Sequence, residues 1–498
     1  MKILSSKAIR TVDAKTIEYN GIESHELMES AASAFADYFI EHYFIDERVA
    51  VFSGTGNNGG DGVAVARMLH WAGNAVKLYI VEMGSSYSKD CLLNIERAQI
   101  AGVEVIKIES IDEIPSLKDI DVVIDALFGT GLSRPLSGLA KDMIERINSL
   151  HKTVISIDIP SGLFMDRLTE VAIHATETVT FQIPKLALFL PSNNKFVGSL
   201  STVDIGLDAK AIAEADTDSY YLTNEGMAAL LNPLDKFTHK GLQGHALIIG
   251  GSLGKIGAVA LASKAALRSG CGFVTAFTPK CGVIPIQSTF PEAMMVQDHL
   301  HTHISAISYS IEPSAIAIGM GMGQHRDTQD ALRVFLKGCT TPLVVDADAL
   351  NILSKNPDWL KYLPPATIIT PHPKELARLI GEWGDDFDKI ELSRLFARKY
   401  NLIVVIKGAH TLIVDANNIY VNSSGTPALA TAGSGDVLSG ILAGLLAQGY
   451  KPIVATQLGV YIHGMTANIT AKEINPRSFI ASDIINNMGK VYDRMSTR

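Results

Sequence analysis

Two groups of residues in this 498-residue chain have types and spacing suited to chemistry. The first lies in three separate stretches. Asn57, Asn58 and Asp61 stand in Ser53-Gly-Thr-Gly-Asn-Asn-Gly-Gly-Asp-Gly62, Asp125 precedes Gly129-Thr-Gly-Leu-Ser-Arg-Pro135, and Asp158 precedes Pro160-Ser161-Gly162. Glycines at a strand-to-helix junction let backbone N–H groups approach a phosphate, and a helix N-terminus favours negative charge. Carboxylates converging on one point repel one another. One resolution is a bound cation with oxygen ligands from Asn58, Asp125 and the Ser161 region. The plainer reading is that each Asp caps the turn or helix that follows it.

The second group centres on Thr426-Pro-Ala-Leu-Ala-Thr-Ala-Gly-Ser-Gly-Asp-Val-Leu-Ser-Gly440. Gly433-Ser434-Gly435-Asp436 opens a helical pattern whose Val437, Leu438, Ile441, Leu442 and Leu445 are apolar. The N–H groups of Ser434, Gly435 and Asp436 can form a cradle for a transferred phosphoryl group. Asp436, in the first turn, is placed to take a proton from an attacking hydroxyl. Alone, such a tetrad also serves close helix packing. Two further motifs accompany it: Lys407-Gly408-Ala409-His410-Thr411 between two strands, as in a nucleotide-binding hairpin, and Thr370-Pro-His372-Pro-Lys-Glu375 between a strand and a helix. Singly, Lys407 reads as a surface lysine and His372 as a solvated loop residue; the ordered set is hard to obtain by chance.

These residues need a scaffold. Residues 48–53, 76–81, 103–108, 122–125 and 154–158 read as apolar strands separated by helical stretches. The spacing predicts one amphipathic helix over 6–36, a helix over 63–71 after the Gly-rich block, and a small acidic helix over 208–218. A second strand-helix series begins at 245–251 and continues through 273–278, 315–318, 343–346, 367–370, 403–406 and 411–414. Strands alternating with helices imply parallel sheets covered on both faces. The expected boundary lies between Ile205 and Lys240, and the halves show no internal repeat. The fold expected is therefore α/β in two domains, 1–210 and 225–498.

Composition narrows the function. A formal charge of −9 offers no basic stripe for nucleic acid. The four cysteines form no CxxC and have no His pair at zinc spacing, which fits reduced thiols. The N-terminus lacks a signal-peptide apolar core, and residues 437–447 are too short to span a bilayer. A cytoplasmic enzyme with no membrane partner is the expectation.

The block GTGNNGGDG, the segment DALFGTGLSRP and the segment DIPSG resemble the NAD(P)H-hydrate epimerase (YjeF N-terminal) family over roughly residues 1–210. The resemblance implies a Rossmann-like three-layer parallel-sheet sandwich and a potassium ion (K+) on Asn58, Asp125 and Ser161. It also implies a hydrated-cofactor site made by Asn57, Asn58, Gly59, Gly60, Asp61, Gly129, Thr130, Gly131, Leu132, Ser133, Arg134, Pro135 and Asp158. Asp158 is the candidate acid/base for interconverting the R and S hydrates.

The second set, with Gly250-Gly-Ser-Leu-Gly254, Gly257-Ala258 and Gly319-Met-Gly-Met-Gly323, resembles the ribokinase-like NAD(P)H-hydrate dehydratase family over roughly 225–498. It implies nucleotide binding by Lys407, Gly408, Ala409, His410, Thr411 and Gly435. Substrate contacts would come from Ala258, Gly323, His372 and Asp436, with Asp436 catalytic. ADP is the expected co-substrate ahead of ATP, with Mg2+ on its phosphates and help from Asp346 or Asp348 through water. Met320 departs from the family pattern, which has Pro there. The expected partners are hydrated NADH or NADPH and ADP, and the expected assembly is a homo-oligomer. A competing expectation is a ribokinase-like kinase of a small-molecule hydroxyl beside a non-catalytic N-terminal binding module.

Overall fold

A computed structural model describes residues 1–83, 86–114 and 116–496. The chain divides into two compact units. One comprises Lys2–Ser219 with Asp385–Phe387, and the other Tyr220–Gly384 and Asp388–Arg498 together with Met1. The small insert 385–387 in the first unit has no counterpart in the sequence reading.

In the first unit, a two-residue strand β1 (Lys2–Ile3) precedes two helices, Ser6–Asn20 and Ser24–His42. The single helix expected over 6–36 is thus broken. Gly21 takes a left-handed conformation at φ 63° and ends the first helix, and Glu23 and Glu26 form a capping box that starts the second. The strands that follow are β2 (Arg48–Ser53), β3 (Ala75–Val81), β4 (Glu104–Ile108), β5 (Val122–Ala126), β6 (Thr153–Ile157), β7 (Glu177–Phe181) and β8 (Ser199–Val203). They form a seven-stranded sheet in the order β4-β3-β2-β5-β6-β7-β8. All its ladders are parallel. Helices cover both faces, and separate apolar clusters fill each side. Strand order reverses between β2 and β5, and a crevice opens there at the carboxyl ends.

The acidic helix expected over 208–218 is shorter, Ala209–Glu214, and gives way to β9 (Ser219–Leu222). The second unit then runs through β10 (His245–Ile249), β11 (Phe273–Thr278), β12 (Met294–Gln297), β13 (Ala315–Ile318), β14 (Leu343–Val345), β15 (Thr367–Ile369), β16 (Leu402–Ile406), β17 (Leu412–Val414) and β18 (Ile419–Asn422). Its sheet passes through β18-β17-β16-β15-β14-β13-β10-β11-β12. From β12 to β16 the pairing is parallel; β16, β17 and β18 are antiparallel. The helix Ser434–Ala447, buried nearly all round, packs on Ile256–Arg268 over the sheet. Here the reversal lies between β10 and β13. Gly319, at φ 126°, carries the chain out of β13 so close to Asp346 that a Cβ would lie 1.9 Å from its carbonyl oxygen. Met320 is buried in the core, and its carbonyl accepts the Gly251 N–H at 2.9 Å. The turn therefore closes without proline.

Candidate functional site

The first crevice is a cleft of about 630 Å³ at the β2/β5 reversal. The helix Asn57–Ala72 starts inside the Gly-rich block, not after it at 63, so Asn57, Asn58 and Asp61 occupy its first turns and face the cleft. Gly129, Thr130, Gly131, Leu132, Ser133, Arg134 and Asp158 also line it. Gly59 and Gly60 face the packed side instead. A Cβ would lie 1.9 Å from Gly54 O at Gly59 and 2.7 Å from Met28 Sδ at Gly60. Gly59 lets the helix approach the turn after β2, Gly60 lets it approach Met28 and Cys91 on two neighbouring helices, and Pro135 is exposed outside the lining.

Asp158 stands just beyond β6 at φ 67°, a strained conformation for a residue with a Cβ. Its Oδ1 accepts from Phe181 N (3.0 Å), Thr180 Oγ1 (3.2 Å) and the ammonium of Lys185, leaving Oδ2 without a donor among the described residues. Lys185 is 2% exposed and also donates to Thr180 Oγ1 at 2.9 Å. The sequence reading missed Lys185. It follows β7, a strand whose Glu177-Thr-Val-Thr alternation breaks the apolar run used to find the others. Asp13 was missed as well. It sits on the Ser6–Asn20 helix, where a charged residue reads as the solvated face, yet it lines the cleft. Burial, with Asp158 nearby, pushes its carboxyl up to about 6. Burial, then the carboxyls of Asp158, Asp13 and Asp90, drive Asp61 well above the usual carboxylate range.

Asp125 lies beneath the cleft, fully buried. Its Oδ2 accepts from Ser156 Oγ and Ser161 N, both at 2.8 Å, and Oδ1 accepts from Leu127 N at 3.3 Å. Burial raises its pKa against those donors, and it has no Lys or Arg partner among the described residues. The Ser161 hydroxyl accepts from Phe128 N (2.8 Å) and donates to Phe128 O (3.1 Å). The Asn58 side-chain nitrogen is buried without a partner.

The second cleft, about 450 Å³, lies at the β10/β13 reversal. Lys255 and Gly321, on the turns after β10 and β13, line it together with Ala258, Asp348, Glu375 and Asp436, which lie in the first turns of four helices. Asp436 opens the Ser434–Ala447 helix after Gly433, which is left-handed at φ 87°. Burial, then the Asp346 carboxylate, push Asp436 up to about 6 against the pull of Lys407. The Ser434 N–H is turned onto Thr431 O at 3.4 Å, so of the three amides in the expected cradle only those of Gly435 and Asp436 lack an acceptor among the described residues.

Lys407 is bound to Asp346 Oδ1 at 2.9 Å, and Ser439 Oγ donates to Asp346 Oδ2 at 2.7 Å. The Lys407 ammonium therefore lies under Gly435, where a Cβ would be 3.3 Å from Nζ. Gly408, Ala409, His410 and Thr411 form the β16–β17 turn, closed by Thr411 Oγ1 donating to Gly408 O at 3.2 Å. Gly323 N donates to Asp348 Oδ2 at 2.9 Å. His372 caps the helix Pro373–Ile380, its Nδ1 accepting from Lys374 N and Glu375 N, with Nε2 3.6 Å from Glu375 Oε1. A further residue missed by the sequence reading is His463. It is buried on the next helix, within 3.2 Å of Ser434 Oγ, and desolvation lowers it to about 4, so it stays neutral.

Two parallel-sheet units, each with a carboxylate-lined cleft at its strand reversal, define a two-site α/β enzyme with a Rossmann-like first half and a ribokinase-like second half. Residues 246–489 match the NAD(P)H-hydrate dehydratase family model, and residues 24–187 match that of the YjeF-related protein N-terminus. The bifunctional NAD(P)H-hydrate repair enzyme Nnr of Moorella thermoacetica is 35% identical over 487 residues, covering 93% of this chain and 91% of that protein. Its namesake from Escherichia coli is 30% identical over 490 residues, covering 97% and 93%. The solved ADP/ATP-dependent NAD(P)H-hydrate dehydratase of Bacillus subtilis, co-crystallized with ATP/Mg2+, covers 56% of this chain and 100% of its own at 27% identity and a TM-score of 0.49. The chain belongs to the family of bifunctional NAD(P)H-hydrate repair enzymes. It pairs an epimerase unit with a dehydratase unit.

Among the described residues no helix is long and apolar enough to cross a membrane.

Proposed function

We propose that the first cleft interconverts the R and S hydrates of NAD(P)H and that the second removes water from the S hydrate using ADP. The observation that carries the second assignment is Asp436 at the mouth of a helix, raised to about 6, beside unpaired main-chain amides. Hydroxide leaves C6 of a hydrated nicotinamide ring poorly. Asp436 takes the proton of the C6 hydroxyl as its oxygen attacks the terminal phosphorus of ADP, and AMP departs. The Gly435 and Asp436 amides meet the charge that develops on the phosphoryl oxygens. The ring nitrogen's electron pair then expels phosphate, and loss of a C5 proton restores NAD(P)H.

Lys407 through Thr411 and Gly435 are assigned to the nucleotide, and Ala258, Gly323, His372 and Asp436 to the hydrate. The cleft's carboxylates, Asp348, Glu375 and Asp436, outnumber Lys255, its one cation among the lining residues, which suits a nucleotide-borne Mg2+. Asp348 would hold it. Asp346 is occupied by Lys407 and Ser439. Mg2+ would neutralise phosphate charge during transfer.

In the first cleft, Asp158 is the acid/base, with Oδ2 free toward the cleft and Lys185 holding Oδ1. Asn57, Asn58, Asp61 and the 129–134 loop surround the substrate. Asp125, buried with no cationic partner, fits a potassium ion shared with Asn58 and the Ser161 backbone region. A weakly hydrated cation there would neutralise the carboxylate under the cleft floor. We extend the reading to a cytoplasmic homo-oligomer, tested by light scattering against the single-chain mass of 53.5 kDa.

The deciding experiment incubates purified protein with an R,S hydrate mixture, Mg2+ and either ADP or ATP, in potassium buffer and in potassium-free buffer. Full return of NADH absorbance with ADP in potassium is expected. Stopping at the S fraction when potassium is absent supports the cation assignment. An S hydrate left untouched by both nucleotides would refute the dehydratase assignment.

A further inference from the structure

Not among the assigned residues, His303, His325 and Asp327 bring one nitrogen from each ring and one carboxylate oxygen within 4.8 Å of one another. They arise from two elements. His303 lies within the loop between β12 and β13, which is wound around a buried carboxylate: Asp298 accepts from His299 N at 2.6 Å and from the Ser305 backbone and hydroxyl. The loop is pinned further by Leu253 N donating to Thr302 O (2.8 Å) and Thr328 Oγ1 donating to Ile304 O (2.7 Å). His325 and Asp327 belong to the N-terminal turn of the helix Arg326–Gly338, where His325 Nδ1 accepts from Asp327 N at 3.3 Å.

The three side chains already share one point. His303 Nε2 lies 3.2 Å and His325 Nδ1 3.6 Å from the same Asp327 Oδ2, and the rings stand 4.0 Å apart at 38°. The other nitrogen of His303 is engaged by Thr302 Oγ1 at 3.0 Å, the kind of outer contact that orients a ligating imidazole. Two imidazoles and one carboxylate form the donor set of zinc and its neighbours, whereas Mg2+ and Ca2+ take oxygen ligands. Water can complete the coordination on the solvent side, where His325 and Asp327 are about half exposed. The helix N-terminus opposes a cation, and the Asp327 carboxylate in its first turn offsets that field.

We propose that His303, His325 and Asp327 form a binding site for a zinc-class divalent cation, which staples the 298–305 loop to the helix Arg326–Gly338. The test uses the full chain, stripped with chelator and held in excess Mg2+ without nucleotide. Zn2+ is titrated by calorimetry, and Co2+ is followed by its visible d–d bands. One cation per chain is expected at this site, with tetrahedral Co2+ absorption and a rise in Tm on Zn2+ addition. His303→Ala and His325→Ala should each weaken Zn2+ binding at least tenfold, while His301→Gln, at an exposed neighbour, should leave it unchanged. Zinc X-ray absorption on the unmutated protein should show two imidazole shells, a readout that does not depend on the variants folding. No saturable Zn2+ uptake, uptake unaltered in both alanine variants, or a spectrum without two imidazoles would overturn the site.

Discussion

Asp436 lies within reach of opposing charges, Asp346 and Asp348 raising its pKa and Lys407 lowering it, with burial the largest influence. A general base works only when ionised. Dehydration of the S hydrate should therefore fall about tenfold per pH unit below about 6, the value burial gives this carboxyl. Asp346→Asn removes the negative neighbour with the larger influence on Asp436 and the carboxylate bound to Lys407. Both changes favour ionised Asp436, so the acid limb of kcat/KM should move to lower pH. An acid limb that stays in place in this variant would count against Asp436 as the titrating base. In the other cleft, Lys185 and Asp158 act as a pair, and removing one alone leaves a buried charge uncompensated.

At the scale of elements, the Ser434–Ala447 helix must come close to Ile256–Arg268 to present Asp436 at its mouth. Gly440 and Gly444 permit this. A Cβ at Gly440 would lie 2.1 Å from Ala262 O, and one at Gly444 2.1 Å from Ser269 Oγ. Gly440→Ala should destabilise the second unit by about 1–3 kcal/mol through forced separation of the two helices. It should also lower dehydratase turnover, since the first turn moves with the helix. Gly338→Ala, at the open end of another helix, meets nothing within 4 Å and should change stability by no more than about 1 kcal/mol. Urea unfolding of the two variants gives the comparison, and equal losses would remove the packing argument.

For the whole molecule, each cleft is built entirely within one unit, so the activities should separate. Asp158→Asn should abolish R-to-S conversion and spare dehydration of the S hydrate; Asp436→Asn should do the reverse. An equimolar mixture of the two variants should consume an R,S mixture completely, because the S hydrate diffuses from one protein to the other. Failure of the mixture, with each single activity intact, would show that the hydrate must pass between sites in one molecule.

Much of this was legible in the sequence because backbone chemistry is local. Apolar strand runs ending in Asp or Gly revealed both sheets, and the Gly-rich turns marked where their carboxyl ends open. Of the motifs expected around the second site, the structure places Asp436 in the cleft lining, while Lys407 and His372 stand outside that lining. What failed was what depends on distant partners. β7 alternates polar residues that are buried only through neighbours such as Thr178 Oγ1 donating to Val197 O, so neither that strand nor Lys185 after it stood out. Asp13 looked solvated until the fold laid its helix across the cleft. The sequence alone determined where carboxylates, amides and glycine-rich turns stand along the chain, since side-chain type and local turn preference are written residue by residue. Only the tertiary structure decided which of them share a cleft, which carboxyls rise toward neutral pH and which lysines are paired away, because burial and charge proximity exist only once remote segments are packed together.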